Sequence, residues 1–218
     1  MQTTKSKRRT KTLSVLLVAA IGFWGFWEFG FEATNRVRFD LCQIQTPEGI
    51  EVLSRDAALA MFETARVEKT PLAKASLSCS YWPTMHSGDS KLNDVGLTKQ
   101  AQAVINKAEK VFGYIPKGGY APGGVNSGHI KGSAHYEGRA VDFFFRPHEK
   151  KKNREAGWQL AIWATLHAAE LNIETVIFDD HIWTRLNSTA GWRPYVHPSG
   201  DRENPILRHL DHVHIDVN

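Results

Sequence analysis

The run Asp211-His212-Val213-His214-Ile215-Asp216-Val217 constrains the fold more than any other stretch of the chain. Strict polar and apolar alternation is the period of a half-buried strand. It puts Val213, Ile215 and Val217 on a face that must be covered, and His212, His214 and Asp216 on the opposite one. A second run, residues 140 to 145, follows the same logic: Ala140, Asp142 and Phe144 point one way and Val141, Phe143 and Phe145 the other. An aspartate set among so many apolar residues is costly to bury without a cation or strong donors. Seven residues before it, beyond the turn glycine Gly138, stands His135.

His135, Asp142 and His214 are therefore a candidate ligand set. Three nitrogen and oxygen ligands with one open position is the usual arrangement of a catalytic zinc, and zinc accepts both residue types. The same spacing also fits hydrogen-bonded structural histidines on a half-buried strand.

The rest of the chain reads as an α+β body, with a small antiparallel sheet against helices. Helices are expected over residues 55 to 66 after Ser54 in the N-cap position, 97 to 111 closed by Gly113, and 154 to 171. Strands are expected over 140 to 145, 175 to 178 and 213 to 217. Hydrophobic residues make up 42% and aromatics 11%, which is globular stock and excludes disordered, collagen-like and disulfide-knot classes.

The formal charge is +4, but Lys5, Lys7, Arg8, Arg9 and Lys11 supply five positives, so the remainder stands at −1. The body thus lacks the electrostatic footprint of a nucleic-acid binder. The run from Leu13 to Phe31 that follows is about long enough to cross a bilayer. Cations before it, and Trp24 and Trp27 near its far end, predict an uncleaved signal anchor of the plasma membrane with the N-terminus inside. The expected organisation is a basic tail over 1–12, an anchor over 13–31, a helical extension over 32–96 and a catalytic body over 97–218. Cys42 and Cys79 would then lie in an oxidising compartment, where a disulfide between them is expected; two separate buried thiols are the alternative.

Ser133-x-His135-x-x-Gly138-x-Ala140-x-Asp142 followed by His212-x-His214 resembles the zinc D-alanyl-D-alanine carboxypeptidase superfamily. That superfamily includes VanY-type enzymes, murein endopeptidases and the Hedgehog signalling domain, and the likeness covers roughly residues 97 to 217. It implies one Zn2+ held by His135, Asp142 and His214, and peptidoglycan peptides as partners. Asp211, three residues before the last ligand, is the first candidate for the base, with His212 able to assist or replace it. His209 is placed as in the murein endopeptidases, to assist the base or stabilise the oxyanion. The Arg of a Gly-Tyr-Arg segment that grips substrate in relatives is absent, since the chain reads Gly119-Tyr120-Ala121. Arg139 and Arg193 are the candidates to replace it, and no counterpart of the Hedgehog calcium cluster is found. The expected activity is membrane-anchored, outward-facing peptidase action on the bacterial wall. An inactive zinc-holding module that binds wall peptide or a partner protein, and an interaction protein with a purely structural metal, are the alternatives.

Overall fold

A computed structural model describes residues 41–84 and 91–218. The tail and anchor expected over 1–31 lie outside the described residues, among which no helix is long and apolar enough to cross a membrane.

The alternating runs form the centre of the larger sheet. β5 (Ala140–Phe144) and β9 (His212–Val217) pair antiparallel in a six-stranded sheet. The order is β4-β5-β9-β6-β7-β8, where β4 is Lys117–Gly118, β6 Ile173–Phe178, β7 His181–Thr184 and β8 Arg193–Pro194. Every pairing in it is antiparallel. Val141, Phe143, Val213, Ile215 and Val217 are fully buried, as their phase requires.

What covers that apolar face is α3 (Lys151–Leu166), which packs against β6 and β9, against the short strand Leu77–Cys79 and against the helix Arg55–Val67. Its buried residues, including Trp158, Leu160, Ile162, Trp163 and Leu166, surround the helix instead of forming one stripe, as expected of a helix buried on several sides. The single helix expected over 154 to 171 is two: α3 ends before His167, and α4 (Ala168–Leu171) follows. Asn172 then turns the chain at φ +52° into β6.

α1 (Arg55–Val67) is capped by Ser54, whose side chain accepts from Ala57 N, and α2 (Lys99–Phe112) by Thr98, whose side chain accepts from Ala101 N. The extension expected to be helical departs from that reading. Besides α1 it holds β1 (Leu41–Thr46), β2 (Gly49–Ser54) and β3 (Leu77–Cys79), a sheet of order β2-β1-β3. Ile50 and Val52 on β2 are each 64% exposed, so the alternation of that strand marks no buried face and gave no signal. Residue 97 is no domain boundary either, because Cys42, Phe62 and Leu77 share one core with Val141 and Val213.

Cys42 and Cys79 are directly opposed on β1 and β3 and form a disulfide. Trp183 Nε1 donates to Cys79 O at 3.1 Å, tying the two sheets together beside the bond. Closing a loop with a sequence separation of 37 stabilises the fold by about 3–4 kcal/mol in the chain-entropy model. Replacing both cysteines by alanine is expected to lower the unfolding free energy from denaturant titration by that amount, and a change below about 1 kcal/mol would show that the sheets hold without it.

Candidate metal centre

The site begins with strand register. β5 and β9 place Asp142 opposite His214 and Phe144 opposite His212. His135 arrives from a short 3-10 turn, Ala134–Glu137, started by Ser133, whose hydroxyl accepts from His135 N, and ended by Gly138 at φ +64°. A Cβ at Gly138 would lie 2.6 Å from Gly96 O, so the reversal that carries the chain from His135 into β5 requires glycine.

Three atoms converge there. His135 Nε2 lies 3.1 Å from His214 Nδ1, and Asp142 Oδ1 lies 3.3 Å from the first and 3.1 Å from the second. A tetrahedral ion with ligands at about 2.0–2.1 Å separates adjacent ligand atoms by about 3.3 Å, so these three match one face of a zinc-sized coordination shell. All three residues are buried, and the group could hold a metal ion.

The surroundings fix the ligand atoms. His135 Nδ1 donates to Gly119 O at 2.7 Å, which turns Nε2 and its lone pair toward the site. Gly119 has φ +81°, and a Cβ on it would come within 2.3 Å of the His135 ring and 2.9 Å of Asp142 Oδ2. His214 Nε2 faces Asp216 Oδ2 at 3.6 Å. His129 stacks on His135 with ring centroids 4.0 Å apart.

Electrostatics follow from burial. Desolvation opposes a charge on His214, but contacts with the Asp142 and Asp216 carboxylates outweigh it and raise its pKa to about 10. Desolvation likewise opposes ionisation of Asp142, yet its contacts with the His135 and His214 rings hold its pKa far below the usual carboxylate range. Without metal, then, a proton on His214 supplies the missing positive charge. Its stabilisation is fully present below the unfolded pKa of about 6.5 and is lost as pH rises through about 10. A metal must displace that proton, so affinity rises with pH across the same window.

Asp211 immediately precedes β9. Its Oδ1 accepts from His212 Nδ1 at 2.7 Å and its Oδ2 from Arg146 Nε at 2.6 Å. His212 Nε2 is thereby turned inward, 3.8 Å from Asp142 Oδ1. His209, at φ +53°, stacks its ring 4.6 Å from that of His212. Burial, then the neighbouring His214 charge, lowers its pKa to about 2.

His135, Asp142, His209, His212 and His214 line an open cleft of about 520 Å³ that also takes in His129, Phe144 and Arg146. The arginines expected to face substrate are elsewhere. Arg139 binds Glu137 and Val217 O, Arg193 donates to Thr184 Oγ1, and neither lines the cleft. Sequence reading missed Arg146, although it continues the even-numbered face of Asp142 and Phe144. It also passed over His129, where a loop without periodicity carries no such signal.

The family model described as VldE, C-terminal domain, matches residues 93–206, just over half of the chain. That span includes His135, Asp142 and Arg146 and ends before Asp211, His212 and His214. No curated protein and no solved structure matches.

Two outcomes are expected. Gly119→Ala keeps the fold by circular dichroism but lowers zinc affinity by at least about tenfold, the range for a lost supporting contact; unchanged affinity would mean that the close approach does not position His135. Zinc titrated into metal-free protein at pH 7.5 releases about one proton, read from calorimetry in buffers of different ionisation enthalpy. No release would place the His214 proton elsewhere.

Proposed function

The chain belongs to the VldE C-terminal domain family, and from the geometry of its site we propose that it is a zinc metallopeptidase that hydrolyses peptide bonds of bacterial peptidoglycan. The observation that carries this reading is the convergence of His135 Nε2, Asp142 Oδ1 and His214 Nδ1 at coordination-shell separations, on the wall of an open cleft. Two imidazoles and one carboxylate suit zinc. The order of the ligands and the His212-x-His214 pair support membership of the D-alanyl-D-alanine carboxypeptidase superfamily, and with it the peptidoglycan substrate.

A zinc ion bound there supplies Lewis acidity to a peptide carbonyl and to water. The chain's own residues do the rest. His212 is the proton acceptor: its Nδ1–H is committed to Asp211, which leaves Nε2 free on the metal side. Asp211 acts through His212, because both of its oxygens are engaged, one by His212 and one by Arg146. His209, with its Nδ1–H on Leu207 O, stacks on His212 and holds that ring in place. The Cys42–Cys79 disulfide supports an extracytoplasmic location, and the basic tail with the apolar run over 13–31 supports a membrane anchor oriented with its N-terminus inside.

Full-length protein in detergent is expected to release fragments from cross-linked muropeptides, to stop on chelation and to recover with zinc. His212→Ala lowers kcat by at least about a hundredfold with metal retained, and Asp211→Asn lowers it by about tenfold or more. Normal turnover in His212→Ala with a dead Asp211→Asn would return the base to Asp211. Zinc-loaded protein that leaves every muropeptide intact would favour the inactive wall-binding module.

A further inference from the structure

We infer that Arg146 is the residue by which the cleft recognises a carboxylate on its substrate. The inference deepens the peptidase reading and rests on it for the word substrate; the recognition itself rests on the cleft. Arg146 is the one Lys or Arg among the residues described as lining that cleft. Its side chain is 54% exposed, its guanidinium lies 4.1 Å above the Phe144 ring, and its Nε donates to Asp211. Those two contacts fix the plane of the group and use a single donor. Nη1 and Nη2 make no hydrogen bond among the described residues, so up to four N–H donors are left in a preorganised fork, the geometry that takes a carboxylate bidentately.

Position gives the fork its meaning. From Arg146 the contacts run through Asp211 to His212 and on to Asp142, so a carboxylate on the fork sits in the same cleft as the ligand group. Ile130, 47% exposed, and Ile206, 54% exposed, add apolar surface to the cleft. Asp211 balances Arg146 only in part of its donor set, and the remaining acids, Asp142 and Asp216, face His214.

The test uses a ligand that cannot be turned over, so that recognition is read independently of catalysis. The probe is the ketomethylene isostere of N-acetyl-D-alanyl-D-alanine, as free acid and as carboxamide, titrated calorimetrically into zinc-loaded full-length protein. The acid is expected to bind at least about tenfold more tightly than the amide, the range of a charge-assisted pair. Arg146→Gln removes that preference by bringing the acid down to the amide, and Arg146→Lys restores part of it. Equal binding of acid and amide by the wild type, binding of neither, or a preference that survives in Arg146→Gln would each overturn the inference. A role confined to holding Asp211 would weaken acid and amide alike, which also overturns it. Muropeptide hydrolysis is scored separately: protein that distinguishes acid from amide yet cleaves nothing refutes the peptidase reading and leaves Arg146 as a carboxylate-binding residue.

Discussion

Placing Asp142 opposite His214 on adjacent strands buries a carboxylate between two imidazole rings, and most of the site follows from how that charge is compensated. A buried ion without a partner costs several kcal/mol. The donor set offers two remedies: a proton on His214, or a cation shared among three ligand atoms. The neighbours favour a cation held in one geometry. Gly119 O fixes the tautomer of His135, the missing Cβ of Gly119 leaves room for that ring, and Asp216 stands behind His214.

The scaffold makes that arrangement rigid. β5 and β9 lie inside a six-stranded sheet, so each ligand strand is paired on both edges. The opposite face of the same strands is locked into the core by Val141, Phe143, Val213 and Ile215. A one-residue slip of β9 would exchange those residues for histidines and destroy core and site together. Packing and chemistry are thus specified by one register, which is how a site gains precision from regular elements.

The parts of this account that were legible in the sequence are those with a strict period. The alternation from His212 to Val217, and that of Ala140 to Phe144, gave two strands, their buried faces and the three converging residues, since side-chain direction in a strand follows from residue parity. Helix α1 was likewise marked by Ser54 with helical spacing behind it, and α2 by its spacing and the closing Gly113. The three-stranded sheet of the N-terminal part was not legible, because Ile50 and Val52 face outward and the pairing of β1 with β3 spans the whole of α1. Nor could the sequence say that Asp211 would spend both oxygens on His212 and Arg146. Arg146 lies 65 residues away in sequence, and no local pattern pairs it with Asp211.

X-ray absorption at the zinc edge of full-length protein, purified without added metal, bears most directly on the claim that His135, Asp142 and His214 form a metal site. The account predicts one zinc per chain, with the outer-shell scattering of two imidazoles and nitrogen and oxygen ligands at about 2.0–2.1 Å. Disulfide-bonded, folded protein that takes up no metal on reconstitution, or whose zinc shows no imidazole scattering, would contradict it.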